Sequence, residues 1–234
     1  MVSNVSTGTH RILIRSQSLW TMNAVPRRRV YGESLKHIRG KEYRRWDPHR
    51  SKIAAGLLRT TRRPEDLLPK EGASVLYLGA GHGTTISHIH DIVCGKGNTS
   101  QGRIIGVDIS PRCIRDLLTL SRLRPGFLPV LGDARKKKWT TYLHRKVDWL
   151  FQDVSQSGQI DIFLDVCRQH LDDDGIGIFS FKMASERWTH EETVKRVSGI
   201  EMRINESGLN LLETIDLHGF EDQHHLFIVS PKVE

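Results

Sequence analysis

The chain has little cysteine: Cys94, Cys113 and Cys167, three in 234 residues, widely spaced and odd in number. That excludes a disulfide framework and is expected of reduced thiols in a cytoplasmic setting. No stretch approaches the ~18 consecutive apolar residues of a membrane-spanning helix. The opening MVSNVSTGTHRILIRSQ has no basic-then-apolar signal layout, because Arg11 and Arg15 interrupt its one apolar patch. A cytoplasmic location and no membrane partner are therefore expected. No CxxC or HExxH pattern supports the neighbouring His88, His90 and Cys94 as metal ligands, so no metal site is expected. There is no GKS or GKT, which excludes a P-loop. Repeats and low-complexity stretches are missing too. With 38% hydrophobic and 26% charged residues, the composition is that of a folded α/β domain with room for a small extra module.

What is present is charge, unevenly placed. Residues 1–70 hold 16 Lys/Arg against 5 Asp/Glu, whereas residues 71–234 hold 19 against 22. Tyr31, Tyr43 and Trp46 stand among the arginines of the first segment. A basic, aromatic-bearing third of this kind predicts a polyanion-binding face, most simply for RNA or DNA.

The first fifty residues read as short strands at 11–14, 19–22, 28–31 and 36–46, the last turning at Gly40. Asp47-Pro48 supplies an N-cap and a first helical residue, with Ile53, Leu57 and Leu58 on one face of the helix that follows. A boundary near residue 50 divides a basic N-terminal β module (1–50) from a larger domain (51–234). From residue 74 strands and helices alternate. Strands are expected at 74–78, 103–107, 127–131, 147–151 and 176–181, and helices at 84–93, from Ser110-Pro111, near 140–145, at 156–171 and at 190–207. Strands 210–217 and 224–230 follow each other without a helix. Continuous apolar strands alternating with amphipathic helices predict a mostly parallel sheet covered on both faces, with an antiparallel edge strand.

Ligands of such sheets bind beyond the carboxyl ends of the strands. The five strand ends carry, in turn, Gly79-Ala80-Gly81-His82-Gly83, Asp108, Gly132-Asp133-Ala134, Gln152-Asp153 and Lys182. Four consecutive ends bearing a carboxylate or a lysine predict a ligand site. The glycine turn is GxGxG, not the dinucleotide GxGxxG, and it holds no Lys or Arg for a pyrophosphate. Asp108 lies 29 positions beyond Gly79, against ~20 in the dinucleotide fingerprint. A carboxylate there suits two ribose hydroxyls, and Asp133 suits an adenine amino group. Adenosine without a diphosphate describes S-adenosylmethionine better than NAD.

The blocks VLYLGAGHGTTISHIHDIV, VDISPRCIRDLL, LGDAR, VDWLFQDVSQ and FKMAS, with VYGE and YRRWDPHRSKIAA upstream, resemble the fibrillarin family. The likeness runs from about residue 19 to 230. Without a Gly/Arg-rich tail the chain resembles the archaeal form, fibrillarin-like rRNA/tRNA 2′-O-methyltransferase. The resemblance implies a methyltransferase Rossmann-like fold and ribose 2′-O-methylation of rRNA or tRNA with S-adenosylmethionine. It implies as partners a box C/D guide RNA, a Nop-domain scaffold protein and a kink-turn-binding ribosomal-type protein. It maps a catalytic set onto Lys52, Asp153, Lys182 and His224, and cofactor contacts onto Gly79, Ala80, Gly83, Thr84, Thr85, Asp108, Asp133, Ala134 and Asp153. Three departures stand out. His82 occupies a turn position that is commonly serine and is expected beside the cofactor; Asp108 replaces the commoner Glu; and His224-His225 leaves the histidine open by one residue, with family spacing favouring His224.

A ribose 2′-hydroxyl needs its proton removed or shared before it attacks a sulfonium methyl, and Lys182 or Asp153 is the expected acceptor. The basic run Arg135-Lys136-Lys137-Lys138 is placed to meet RNA phosphates. The alternative class is a non-catalytic RNA-binding assembly subunit of the same fold, which retention of all four catalytic-set residues disfavours. An NAD-dependent oxidoreductase is disfavoured by the turn spacing, and a small-molecule methyltransferase by the basic N-terminal third.

Overall fold

The computed structural model describes residues 11–15, 18–136, 138–182 and 190–232; Lys137 of the basic run and Met183, Ala184 and Ser185 of FKMAS lie outside them. The N-terminal module is an antiparallel sheet of β1 (Ile12–Arg15), β2 (Ser18–Met22), β3 (Leu35–Ile38) and β4 (Lys41–Trp46), in the order β1-β2-β4-β3. The β3–β4 hairpin turns over Arg39 and Gly40, both at positive φ (49° and 74°). That is the turn whose twist matches a two-residue hairpin. The strand expected at 28–31 does not form. Arg27 (φ 67°) and Gly32 (φ 87°) fold the segment back. The Glu33 carboxylate then accepts from the N–H groups of Val30 (3.0 Å) and Tyr31 (2.9 Å), the donors a ladder would have used.

The helix expected from Pro48 is broken in two. Asp47 caps only a single 3₁₀ turn, Pro48–Arg50, and Ser51 restarts the chain as α1 (Lys52–Arg59), its hydroxyl accepting from Ala54 N. The restart directs Lys52 away from the apolar face that buries Ile53 and Leu57.

The main sheet comprises β5 (Ser74–Leu78), β6 (Arg103–Asp108), β7 (Phe127–Leu131), β8 (Val147–Gln152), β9 (Leu171–Lys182), β10 (Leu209–Asp216) and β11 (His224–Pro231). Its spatial order is β10-β11-β9-β8-β5-β6-β7. The five strands from β7 to β9 pair in parallel. The edge strand β10 pairs antiparallel, as the missing helix implies, but the strand that runs against the rest is β11, inserted between β9 and β10. Alternation sends Val75 and Tyr77 of β5 into one apolar cluster and Leu76 and Leu78 into the other. Helix α1, α2 (Thr84–Val93) and α3 (Pro111–Ser121) cover the first face; α4 (Gln159–His170) and α5 (His190–Glu206) cover the second. The helix expected near 140–145 is only a 3₁₀ segment, Lys138–Tyr142. Helix α4 begins three residues later than expected because Gly158, at φ 74°, occupies its N-cap.

The module shares its apolar core with the sheet, since Ile12, Leu19 and Trp46 belong to the cluster that contains Ile53, Ile86 and Ile89. Between module and α2 lies a buried ionic cluster. Arg44 of β4, fully buried, pairs with Asp91 of α2 at 2.9 Å and with Glu33 at 2.7 Å. Arg124, at the entry to β7, takes the other Asp91 oxygen at 2.7 Å. Beside them His88 stacks on Trp46, ring centroids 5.0 Å apart, and faces Thr21 Oγ1 and the Tyr31 hydroxyl with its two nitrogens. This overturns part of the polyanion expectation: Tyr43, Arg44 and Trp46 are 5% exposed or less. They are joinery. The exposed cations of the module are Arg27, Arg28, Arg29, Arg45 and Arg50 among others.

Candidate active site

At the carboxyl ends of β5 to β9 the strands splay around a crevice of about 520 Å³, within the usual range for a small-molecule site. Seven of the residues expected from sequence line it: Lys52, Gly79, Asp108, Ala134, Asp153, Lys182 and His224. Each arrives by a different element. Lys52 comes from the first turn of α1, Asp108 ends β6, Lys182 ends β9 and His224 begins β11.

The glycine turn explains why side chains are missing there. Gly79, at φ 84°, passes so close to β8 that a Cβ would lie 2.2 Å from the Asp153 carbonyl oxygen. Gly81, at φ 57°, faces open space instead, where a Cβ would meet nothing within 4 Å. One glycine closes the backbone against Asp153; the other leaves room for a ligand. Asp108 holds this arrangement. One of its oxygens accepts from Gly81 N and the other from Ser110 N, each at 2.8 Å, so the glycine turn and the start of α3 are fastened to one carboxylate.

Lys52 Nζ donates to Asp153 Oδ2 at 2.7 Å, both side chains part-buried. His224 sits opposite Lys182 in the β11–β9 register. Its Nδ1 faces the Asp222 carbonyl at 3.0 Å. A carbonyl only accepts, so that nitrogen carries the proton and Nε2 keeps its lone pair. Burial, reinforced by the Lys52 cation, lowers the His224 pKa below the ordinary imidazole value and keeps the ring neutral at pH 7. His225 faces the other way, towards Asp216, as strand alternation requires.

Not every expected contact reaches the crevice. Ala80, Gly83 and Thr85 are buried behind the turn, Thr85 donating to Ser51 Oγ at 2.9 Å. A side chain at Gly83 would strike Leu120 of α3 at 2.9 Å, so that glycine serves packing. Thr84 faces a different cavity, between α2, α3 and the module. Asp133 is beside the crevice but turned to Arg135, 2.7 Å away, which with the Arg135 backbone holds its carboxyl down at about 2. The imidazole of His82 is likewise not in the crevice: it lines the other cavity and binds Asp116 of α3 at 2.7 Å.

Sequence reasoning missed Ser180, Gln156 and Glu221. Ser180 shares the Lys182 side of β9 by two-residue periodicity, a legible signal. Gln156 stands inside the quoted QDVSQ block, whereas Glu221 has no periodic signal at all. The Ser180 hydroxyl and Gln156 Oε1 are buried without a partner in this wall. Orphaned polar atoms, a backbone cradle facing open space, and a carboxylate at the second strand end fit an adenosine-bearing ligand. Among the described residues no group of three or more His, Cys, Asp or Glu is placed to hold a metal ion.

A mostly parallel seven-stranded sheet with an inserted antiparallel strand, a glycine turn after its first strand and a carboxylate after the second defines a methyltransferase-type Rossmann-like protein. The Fibrillarin family model matches residues 7–233. The chain is 38% identical over 215 residues to the fibrillarin-like rRNA/tRNA 2′-O-methyltransferase of Thermococcus sibiricus, covering 92% of this chain and 90% of that protein. It superposes on Aeropyrum pernix fibrillarin, solved with natively bound S-adenosyl-L-methionine, with a TM-score of 0.79, 36% identity and 98% and 100% of the two chains covered. A fibrillarin/Nop5p complex matches with a TM-score of 0.77 at 30% identity, covering 95% of this chain and 98% of that one. The chain belongs to the fibrillarin family.

Proposed function

We propose that this protein is an S-adenosylmethionine-dependent RNA 2′-O-methyltransferase, acting on rRNA or tRNA as the catalytic subunit of a box C/D ribonucleoprotein. The observation that carries the reading is the convergence of Lys52, Asp153, Lys182 and His224 on the crevice that also contains the glycine turn and Asp108, in a chain of this family. A Nop-domain scaffold protein is the partner supported by the related complex; the guide RNA and a kink-turn-binding protein complete the proposed particle.

S-adenosylmethionine, when bound, supplies an activated methyl group. The turn Gly79–Gly81, Asp108 and Ala134 would hold its adenosine part, with Ser180 and Gln156 offering polar atoms that have no protein partner. The protein's task is then to hold a ribose 2′-hydroxyl in line and take its proton, and positioning of this kind supplies much of the barrier reduction. Lys52 fixes the Asp153 carboxylate by the 2.7 Å ion pair, while Lys182, exposed at the end of β9, meets the incoming RNA. Asp153, held in a fixed geometry by Lys52, is one proton acceptor of this set. Lys182 is the other, as the sequence-based expectation has it.

The test is labelled-methyl transfer from S-adenosylmethionine in a reconstituted guide-RNA particle. One target carries ribose at the guided position; the other carries 2′-deoxyribose there. Label on the ribose target alone supports the reading. Label on both points to base methylation. No label on either, with cofactor binding intact and a related protein active in the same particle, replaces it with a non-catalytic assembly role.

A further inference from the structure

The cavity on the far side of the glycine turn, about 540 Å³, has a wall of arginines: Arg28, Arg29 and Arg50 of the module face α3 across it, and Arg124 forms part of its lining. Arg124 is 1% exposed and its Nη2 has no hydrogen-bond partner. Among the described lining residues the one carboxylate, Asp116, is engaged by His82. The cavity is therefore cationic, with a buried donor left over, and suits a small anion.

Helix α3 presents Asp116, Thr119 and Leu120 to this cavity, with Leu123 just beyond its end. Cys113 lies three residues before Asp116 and seven before Leu120, so it continues the same stripe by one turn. Asp116 Oδ2 lies 2.7 Å from His82 Nδ1. An ionised carboxylate can only accept, so Nδ1 carries the proton and Nε2 presents its lone pair. That nitrogen faces the Cys113 sulfur at 3.7 Å. Cys113 also occupies the third position of α3, whose N-cap is Ser110, with Arg112 and Arg115 on either side. The imidazole is thus placed to take the thiol proton, with a carboxylate behind it to orient the ring.

We propose that Asp116, His82 and Cys113 form a thiol-activating relay at the end of this cavity, and that Cys113 is a site of thiol–disulfide exchange with small anionic disulfides. The Cys113 proton passes to His82 Nε2, and the thiolate sulfur attacks one sulfur of the incoming disulfide. The S–S bond breaks as the mixed disulfide forms. The departing thiolate recovers the proton from the imidazolium and leaves as a thiol, so one disulfide is consumed and one made, with no further oxidant. Asp116 holds the ring throughout, and its own carboxyl is lowered by the His82 hydrogen bond. Cys113 is three residues from Ser110, whose N–H is fastened to Asp108 of the cofactor crevice. The relay therefore adjoins the methyl-transfer site without belonging to it.

The other two thiols are internal controls. Cys94 and Cys167 are buried, and burial pushes the Cys94 thiol up to about 12 and the Cys167 thiol higher still. The experiment measures the rate at which the full-length native chain reacts with dithiobis(nitrobenzoate), an anionic disulfide, and with cystamine, a cationic one, from pH 6 to 9. The expected result is one fast thiol per chain, removed by Cys113→Ser. His82→Gln slows it about tenfold at pH 7, through loss of the proton acceptor. The double change Arg28→Gln and Arg29→Gln slows the anionic reagent severalfold and leaves cystamine unaffected. Equal rates in the native and His82→Gln chains, both with unchanged thermal unfolding, overturn the relay. Equal selectivity for the two reagents before and after the arginine changes overturns the anionic preference.

Discussion

Two clusters of charged side chains, made of much the same residue types, do opposite work. Between module and α2, Arg44, Arg124, Glu33 and Asp91 are all 6% exposed or less, and three ion pairs of 2.7 to 2.9 Å connect them. In the crevice, Lys52 and Asp153 share one part-buried ion pair, with Lys182 exposed and the neutral ring of His224 beside them. In the first cluster both carboxylates are engaged by buried guanidiniums and almost no surface reaches water, so it holds parts together. The second keeps lone pairs and cations accessible, so it can act on something that enters. Residue type does not separate structure from chemistry here. Access from solvent does.

Breaking each cluster should therefore have different symptoms. The largest effect is expected from Asp153→Asn, which should lower methyl transfer about a thousandfold, measured in single turnover. Its unfolding free energy should change little, since the pair it breaks is partly exposed. Asp91→Asn should do the reverse. It leaves two buried guanidiniums facing a neutral amide and should cost about 3–5 kcal/mol in denaturant unfolding, with cofactor affinity unchanged in whatever remains folded.

Acid should sharpen the contrast further. Burial and the Arg124 charge lower His90 to about 4, and burial and Arg44 lower His88 well below its ordinary value. Both are neutral in the fold and gain protons on unfolding once the pH is below ~6.5. Their contribution is fully present above that pH and falls away on acidification, for His90 through the window down to about 4, at a loss of about 3 kcal/mol for that ring. Unfolding titrations between pH 7 and 4 should show it, with a shallower slope in His90→Gln.

Smaller effects are expected from the fastenings. Asp108→Asn should weaken S-adenosylmethionine binding by about tenfold in calorimetry, through loss of a charge-assisted pair of acceptors. Tyr31→Phe, which removes the hydroxyl between His88 and the Arg45 carbonyl, should cost only about 1 kcal/mol. Equal damage from Tyr31→Phe and Asp91→Asn would mean that the hydroxyl, not the ion pairs, organises the junction.

The alternating part of the fold was legible because its signals are local. Strand β5 and helix α2 fall where the apolar run and the glycine turn place them, at Ser74–Leu78 and Thr84–Val93. The strand-end rule also selected Asp108, Asp153 and Lys182 without a structure. The failures have physical causes of another kind. RRVY has the composition of a strand, but Glu33 collects its N–H groups from two and three residues away. YRRW reads as a basic aromatic surface, yet the acids that draw Arg44 inwards are Glu33 and Asp91, eleven and forty-seven positions away. His82 looked like a cofactor neighbour because its backbone belongs to the glycine turn, while its side chain is turned by an aspartate in the next helix. Periodicity carries no information about partners so distant in the chain.

The direction of the inserted strand β11 decides which of its ends reaches the crevice. A parallel strand would bring its far end to the crevice; β11, running the other way, brings its first residue, His224, beside the last residue of β9. The same strand bridges β9 to β10, so until it threads between them β9 is an open edge and β10 has no neighbour. Completion of the sheet and the placing of His224 beside Lys182 therefore depend on one strand.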